Sequence, residues 1–453
     1  MQGHTKATIV AAALLVGGAS LAGCSSSGSS AGSKTITVAY QDYGDFTQMN
    51  TEMQAVAKQY EAAHPGWTVK LEPIEASEND YYTKLTLMNR SASTAPDVMY
   101  EDTFLVNSDI QAGYLAPLDS YLSSWSGWSQ FTASAKSAAR GSDGKTYGVP
   151  MGTDTRALWY NKTLFQQAGI PVPWQPKTWA DVLAAARTVK AKLPGVTPLN
   201  VYSGKGAGEG ATMQGLEMLL YGTGNQLYNT SSKKWMPSTP GMLASLNFID
   251  TIYNTGLAPD QEDALNPNFG TTVATDLIPN GKLAIDLDGS WLPGNWTSTG
   301  AKPWPAWSTT MGEAPMPTEN GQAPGSTSMS GGWVLSIGSH SADKQADFDF
   351  VSLAENKDNA LNYDIIASQI AVRADVAADP KYTATNPSVA FFTNLVKVTH
   401  FRPAYPVYPQ VSDQIQVAME SVMTGQSSPQ SAMANLASSV SGIVGPSNMV
   451  PGS

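Results

Sequence analysis

The stretch that decides the fold is residues 35–74, TITVAYQDYGDFTQMNTEMQAVAKQYEAAHPGWTVKLEPI. Hydrophobic and polar residues alternate from Ile36 to Tyr40, as they do in a half-buried strand. From Phe46 to Tyr60 hydrophobic residues recur every three or four positions, which predicts an amphipathic helix ending at His64-Pro65-Gly66. Alternation resumes from Val69 to Ile74. The stretch therefore predicts a strand–helix–strand unit, and with it a mostly parallel sheet with helices on both faces.

The same alternation of strands and helices continues along the chain, so the predicted fold class is α/β. Further strands are predicted over residues 96–100, 283–287 and 333–337. A capping box at Thr178 to Asp181 predicts the start of a helix that ends near Leu193, and another helix is predicted over residues 243–253. In open sheets of this class, ligands bind beyond the carboxyl ends of the strands.

Composition excludes several classes of function. The 453 residues exceed what one hydrophobic core usually holds, so two domains are expected. With 26 Lys and Arg against 37 Asp and Glu, the formal net charge is -11, and no basic cluster is present to bind nucleic acid. A single Cys excludes a disulfide scaffold and a Cys-based zinc cluster, and the four His are scattered. We therefore expect no metal, no cofactor and no nucleic-acid partner.

The single cysteine, Cys24, follows an N-terminal leader. One Lys precedes a short apolar run and small residues, which is the layout of a signal peptide. Leu21-Ala22-Gly23-Cys24 resembles the bacterial lipobox, in which the Cys is lipidated. Residues 25–33 contain only Ser, Gly and Ala, a flexible composition. We expect residues 1–23 to be cleaved, Cys24 to anchor the chain outside the cytoplasmic membrane, and residues 24–33 to act as a linker.

Aromatic residues beside polar ones are the positive functional signal. Several of the 12 Trp fall at predicted loops, as in Gly289-Ser290-Trp291 and Gly331-Gly332-Trp333. Aromatic faces cover the apolar C–H faces of sugars, while carboxylates, amides and Arg bond their hydroxyls. For any single Trp the alternative is core packing. No G-x-S-x-G, Walker, H-E-x-x-H or EF-hand pattern occurs, and the Gly-rich segment 204–208 is interpreted as a loop near a ligand or a lobe surface.

An ordered series of motifs resembles the extracellular solute-binding proteins of ABC importers, in the carbohydrate-binding branch that includes maltose-binding protein. The series covers nearly the whole chain after Cys24. Its pieces are Tyr60-Glu61-Ala62-Ala63-His64-Pro65, Ala95-Pro96-Asp97-Val98, Gly113-Tyr114-Leu115-Ala116-Pro117-Leu118, Asp143-Gly144-Lys145-Thr146-Tyr147-Gly148-Val149-Pro150, Tyr160-Asn161-Lys162, Pro176-Lys177-Thr178-Trp179 and Asn280-Gly281-Lys282-Leu283-Ala284 through Gly289-Ser290-Trp291.

The resemblance implies a two-lobed periplasmic-binding-protein fold, in which each lobe is a mostly parallel sheet flanked by helices and a hinge joins the lobes. It implies a sugar in the cleft between them and no catalysis. We predict an N-terminal lobe from residues 34–148 and 303–355, and a C-terminal lobe from residues 149–302 and 356–453.

Mapping the family's ligand-facing segments onto this chain gives the candidate ligand-binding residues. They are Gln41, Tyr43, Asp45, Glu101, Asp102, Asp154, Arg156, Glu209, Thr212, Trp291, Gly332, Trp333, Arg373, Arg402 and Tyr405. Structural alternatives exist for some of them. Asp102 would serve equally as a helix cap, Arg156 as the partner of an acid, and Trp291 as a packing residue.

The predicted function is capture of a sugar or oligosaccharide by hinge closure and its delivery to an ABC permease, by a monomeric lipoprotein on the extracellular face of the membrane. Two alternatives stay open. One is a cell-surface glycoside hydrolase, because paired carboxylates need no sequence motif. The other is a binder of a polyol, an amino sugar or a phosphodiester, because Arg156, Arg373 and Arg402 suit anionic groups. If all three Arg are paired with acids of the protein, a neutral sugar is favoured.

Overall fold

A computed structural model describes residues 34–451. Cys24, its leader and its linker lie outside the described residues. The strands are β1 (Thr35–Gln41), β2 (Thr68–Ile74), β3 (Val98–Asp102), β4 (Gly148–Pro150), β5 (Arg156–Asn161), β6 (Thr197–Asn200), β7 (Tyr228–Asn229), β8 (Lys234–Trp235), β9 (Leu283–Gly289), β10 (Met311–Ala314), β11 (Met316–Pro317), β12 (Ser326–Met329), β13 (Trp333–Ile337) and β14 (Thr399–His400).

The α-helices are α1 (Gln48–Ala63), α2 (Glu78–Asn89), α3 (Val106–Ala112), α4 (Asp119–Leu122), α5 (Ala133–Ala138), α6 (Lys162–Ala168), α7 (Trp179–Lys192), α8 (Met218–Gly222), α9 (Pro240–Asn254), α10 (Gln261–Ala264), α11 (Phe269–Thr272), α12 (Trp307–Thr310), α13 (Lys344–Ala354), α14 (Lys357–Ile366), α15 (Ala374–Ala377), α16 (Pro380–Thr385), α17 (Val389–Leu395), α18 (Tyr408–Met423) and α19 (Pro429–Val444). Gly210–Glu217 and Val273–Leu277 are π-helical, and Lys205–Ala207 and Leu292–Trp296 form 3₁₀ turns. Across residues 34–451, no helix has the length and apolar character that a membrane crossing requires.

The first lobe is built on a five-stranded sheet in the order β2-β1-β3-β13-β4. The predicted strand–helix–strand unit at its start is confirmed as β1, α1 and β2, and β1 and β2 pair in parallel. Ile36 and Val38 are fully buried in one cluster with Met53 and Val56 of α1, so the predicted apolar faces do meet. Phe46 is a correction, because α1 begins at Gln48 and the Phe46 side chain is 50% exposed.

The second lobe is built on a four-stranded sheet in the order β10-β5-β9-β6, beside a small sheet in the order β11-β12-β14. The capping box at the start of α7 is confirmed. The Asp181 amide donates to the Thr178 hydroxyl at 3.2 Å, and the Thr178 amide donates to the Asp181 carboxylate at 3.0 Å. The helix predicted over residues 243–253 begins three residues earlier, because Thr239 caps its first turn and Pro240 fits the first helical position.

The two-lobed α/β fold is confirmed, but the strand directions are more mixed than expected. In the first sheet, β13 is antiparallel to both β3 and β4, and in the second sheet β5 is antiparallel to both β9 and β10. The reason is that the chain passes between lobes directly from one strand to another. It goes from β4 to β5 through residues 151–155 and from β12 to β13 through residues 330–332.

The predicted lobe boundaries stay predictions. Two contacts lead us to propose that residues 303–329 belong to the second lobe and that α14 belongs to the first lobe. β10 pairs with β5 of the second lobe. Asn362 of α14 donates to Glu52 of α1 in the first lobe, at 2.6 Å. We therefore propose crossings at 151–155, at 330–332 and between α16 and α17.

Candidate functional site

A cleft of about 630 Å³ collects polar and aromatic side chains from the ends of strands and from helices of both lobes. Most of the predicted ligand-binding residues line it. They are Gln41, Tyr43, Asp45, Asp102, Asp154, Arg156, Glu209, Trp291, Gly332, Trp333 and Arg402. The structure thus brings together residues that are up to 361 positions apart in sequence, as Gln41 and Arg402 are. Their contact with a ligand stays a prediction.

A buried ion-pair network joins the two lobes at one end of the cleft. Arg402, which follows β14, donates to both carboxylate oxygens of Asp102 at the end of β3, at 2.6 and 3.3 Å. It also donates to Glu209 of the second lobe at 3.0 Å. Tyr82 of α2 adds a hydrogen bond to Asp102 at 2.9 Å, and the Arg402 guanidinium lies 4.4 Å above the Phe104 ring. One guanidinium therefore offsets two carboxylates that approach it from different lobes.

Glu78, at the start of α2, is a third carboxylate at this end of the cleft. Its Oε2 accepts the backbone N–H of Glu209 at 3.2 Å, across the lobes. Burial, with the nearby charges of Asp102 and Glu209, raises the pKa of Glu78 to about 7. The Gly-rich segment 204–208 makes this approach possible, because a methyl group at Gly208 would lie 3.1 Å from the Asn79 amide oxygen. The Gly-rich segment therefore lies against the surface of the first lobe, which is one of the two positions that the sequence predicted for it.

Asp154 and Arg156 form a second buried pair at the start of β5. The Arg156 guanidinium donates to the Asp154 carboxylate and, at 3.2 Å, to the Met329 carbonyl. Asp154 also accepts the Gly331 N–H at 2.8 Å. The Arg156 Nε is buried and has no hydrogen-bond acceptor among the described residues.

Trp291 presents a half-buried ring to the cleft, 4.7 Å from the Arg156 guanidinium. The β5–β9 register places Arg156 opposite Gly289, and the Trp291 ring folds back over Gly289. A methyl group at Gly289 would overlap that ring. The Gly-Ser-Trp sequence therefore sets the position of the aromatic face.

Gly289→Ala is expected to displace the Trp291 ring and weaken sugar binding by about tenfold or more, like Trp291→Ala. Titration followed by tryptophan fluorescence measures the loss. Gly442→Ala is the control, since that position in α19 has open space around it. The control should keep its affinity and gain roughly 0.5–1 kcal/mol of stability. Unchanged sugar affinity in Gly289→Ala would show that the ring does not contact the ligand.

Trp333 forms a second aromatic surface. The antiparallel register of β3 and β13 places it opposite Asp102. Its ring is stacked on Tyr100, with centroids 4.3 Å apart and planes 9° apart, and lies 6.0 Å from the Tyr82 ring. Gly332, directly before Trp333, lets two backbone segments approach each other closely. Its φ is 149°, and a methyl group at this position would lie only 2.9 Å from the Gly152 carbonyl oxygen.

Asp45 and Asp288 lie at the other end of the cleft. Asp45 accepts a hydrogen bond of 2.8 Å from Thr271 of α11, which also joins the lobes. Asp288, near the end of β9, accepts a hydrogen bond of 3.0 Å from the Tyr202 hydroxyl. Burial, with the charge of Asp45, raises the pKa of Asp288 to about 7, and burial also raises the pKa of Asp45.

Four predicted ligand-binding residues lie outside the cleft lining, and each has a structural partner. Glu101 is on the opposite face of β3 from Asp102, because side chains alternate along a strand, and it faces Asp109. Thr212 bonds Ser412 at 2.8 Å. Arg373 pairs with Asp375 at 2.8 Å. Tyr405 packs on Tyr228, with centroids 4.3 Å apart.

Several lining residues were not predicted. They are Phe46, Glu78, Tyr82, Tyr100, Phe104, Tyr202, Met213, Gln214, Thr271, Asp288, Asn295 and Gln369. Asp288 had a usable signal, because it comes directly before Gly289-Ser290-Trp291 at a predicted strand end. Glu78 and Tyr82 lie on a helix, where no rule about strand ends applies. Residues 34–451 contain no group of three or more His, Cys, Asp or Glu side chains placed to hold a metal ion.

Comparison with known proteins places this geometry in a family. Residues 43–361 match the family model of bacterial extracellular solute-binding proteins, which is more than half of the chain. A putative binding protein of Brucella abortus is 25% identical over 400 residues, covering 86% of this chain and 89% of the relative. A probable ABC transporter-binding protein of Deinococcus radiodurans is 26% identical over 314 residues, covering 67% and 70%.

A solved structure agrees. The GacH receptor of Streptomyces glaucescens, known unliganded and in complex with acarbose, superposes with a TM-score of 0.77 at 25% identity, covering 91% of this chain and 99% of that chain. The matched family and these relatives are binding proteins rather than enzymes. The chain belongs to the bacterial extracellular solute-binding proteins.

Proposed function

We propose that this chain captures a sugar, oligosaccharide or polyol in the cleft between its lobes and delivers it to an ABC permease. The observation that carries the proposal is that two half-buried aromatic rings, Trp291 and Trp333, line the same cleft as several carboxylates. Aromatic rings suit the C–H face of a sugar, and the carboxylates suit its hydroxyls. Acarbose, the ligand of the GacH receptor, is consistent with this class of compound.

The charge state of the cleft opposes an anionic ligand. The cations that line it are Arg156, Lys205 and Arg402. Each is held by an acid of the protein: Arg156 by Asp154, Lys205 by Asp413 at 2.7 Å, and Arg402 by Asp102 and Glu209. Arg373 is also paired. A phosphodiester would therefore meet unpaired carboxylates rather than a free guanidinium, so this alternative is disfavoured.

The hydrolase alternative is disfavoured by the same pairs. A glycosidase needs one protonated carboxyl and one free carboxylate beside the scissile bond. Asp102 and Asp154, two of the predicted ligand-binding acids, are each bonded to an Arg. Each of these carboxylates is already bonded to a cation of the protein, so neither is free to act beside a glycosidic bond.

Closure of the lobes around the ligand is the proposed mechanism. Hydrogen bonds between the lobes, such as Thr271 to Asp45 and Glu209 to Glu78, form only when the cleft walls are close. A ligand that contacts both walls favours that arrangement by its differential affinity for it. We further propose that the chain is a monomer without a cofactor, anchored by lipid on Cys24 at the extracellular face of the membrane. The linker of residues 24–33 would let it reach the permease.

A thermal-shift screen of the full chain in detergent tests the proposal. The compounds are glucose, maltose, maltotriose, cellobiose, lactose, sucrose, trehalose, sorbitol, ribitol and, as the anionic arm, glycerol 3-phosphate. A neutral ligand at 100 times its Kd should stabilise the chain by about 2.7 kcal/mol. Stabilisation by glycerol 3-phosphate alone would contradict the proposal. For lipidation, Cys24→Ser should release the chain from membranes of the producing cell, and retention there would contradict an anchor at this residue.

A further inference from the structure

Building on the proposed function, we infer that the cleft takes a polyhydroxylated ligand carrying a protonated amine, and that the ammonium binds at the end formed by Asp45, Asp288 and Asn295. We call these three residues the acidic corner. Asp45 comes from the loop after β1 in the first lobe, Asp288 from β9 and Asn295 from the turn after it in the second lobe. All three line the cleft.

Within residues 34–451, neither Asp45 nor Asp288 forms an ion pair, and Arg156, whose charge acts on Asp288, is bonded to Asp154. Asp45 accepts from Thr271 and Asp288 accepts from Tyr202, Gln214 and the Gly289 N–H, all of which are neutral donors. Both acids are at least nine-tenths buried. An isolated buried carboxylate is costly unless an opposite charge is supplied. At the other end of the cleft Arg402 supplies that charge. Among the described residues, the acidic corner has only the charge of Arg156, which is itself bonded to Asp154.

The acidic corner also contains an unsatisfied hydrogen-bond acceptor. Asn295 is 3% exposed, and its Oδ1 has no hydrogen-bond partner among the described residues. Burial raises the pKa of Asp45, and a hydrogen bond from the Asn295 side chain partly offsets that rise. The Asn295 oxygen is the atom left without a partner. An ammonium group has three donors and no acceptor. It can therefore donate to Asp45, Asp288 and Asn295 Oδ1 together, whereas a hydroxyl has one donor.

The charged groups around the corner set the pH dependence. Asp288 is faced by Asp286 on the same strand, by Arg156 of β5 and by Asp45 of the first lobe. Burial is the largest cause that raises the pKa of Asp288 to about 7, so a fall in pH from 7.5 to 5.5 protonates it. An ammonium favours the ionised carboxylates. The advantage of an amine over its neutral counterpart should accordingly shrink as the pH falls, because Asp288 takes up a proton.

Calorimetric titration of the full chain with matched pairs of compounds tests the inference. The pairs are glucose with glucosamine, galactose with galactosamine, and sorbitol with 1-amino-1-deoxysorbitol. At pH 7.5 the amine of at least one pair should bind about tenfold more tightly than its neutral counterpart, because a charge-assisted hydrogen bond replaces a neutral one. The ratio should fall toward one at pH 5.5.

Two isosteric variants locate the effect. Asp45→Asn and Asp288→Asn should each bring the ratio at pH 7.5 toward one while the neutral compound still binds, and Asp358→Asn on the exposed start of α14 should leave the ratio unchanged. Retained neutral binding also shows that the variants fold. Equal or tighter binding of the neutral members would overturn the inference and leave the proposed function intact. Failure of every pair and of every sugar in the thermal screen would overturn both.

Discussion

Replacing Arg402 with Met is expected to lower the free energy of unfolding by about 3–5 kcal/mol, one of the two largest effects we anticipate. The guanidinium is buried, and its removal leaves Asp102 and Glu209 with no positive charge in a site sheltered from water. Breaking a buried ion pair from one side has a cost of about this size, because the remaining charges are uncompensated. Urea unfolding at pH 7.5, followed by circular dichroism, measures the change.

Two further variants separate charge from packing. The triple variant Asp102→Asn, Glu209→Gln, Arg402→Met should recover most of the loss, since it removes the charges together. Lys357→Met is the control, because that Lys forms an exposed pair with Asp379 and should change stability by less than about 1 kcal/mol. A triple variant no more stable than Arg402→Met would assign the loss to packing on Phe104 instead.

Trp333→Ala is expected to reduce sugar affinity by about 30-fold or more, which corresponds to at least 2 kcal/mol of binding free energy. The half-buried ring is stacked on Tyr100 and lines the cleft, so its removal deletes an aromatic surface there. Fluorescence titration with the best sugar of the thermal screen measures the loss.

Trp128→Ala is the matched control for that substitution. Trp128 is also half-buried in the first lobe and packs on Phe131 at 5.2 Å, but it does not line the cleft. It should reduce stability while leaving sugar affinity within about twofold, since it does not contact the ligand-binding surface. Equal losses of affinity in both variants would mean that the effect of Trp333 acts through the fold of the lobe.

Local patterns made much of the fold predictable. Ile36, Val38, Met53 and Val56 follow the strand and helix periods, and they do form one core. Periodicity could not show that β13 enters the first sheet antiparallel, because strand direction depends on where the chain returns from. It also gave the wrong role for Phe46, which keeps the helical spacing but comes before the first residue of α1.

The site was predictable where it follows strand ends, as at Asp102 and Trp291. Successive side chains along β3 point to opposite faces of the sheet, so Asp102 lines the cleft and the neighbouring Glu101 does not. Arg373 and Tyr405 lie in C-terminal segments without a clear period, so sequence alone could not show that their side chains pack elsewhere. Glu78 and Tyr82 reach the cleft from a helix, which only the packing of α2 reveals.

The position of β13 has a consequence for the order in which the molecule forms. This strand lies between β3 and β4, so the first sheet stays divided until residues 333–337 have been synthesised. Pairings between segments so distant in sequence form slowly, because a long loop must close first. The first 332 residues therefore cannot complete the first sheet by themselves, and β4 has no strand to pair with in that sheet until β13 arrives.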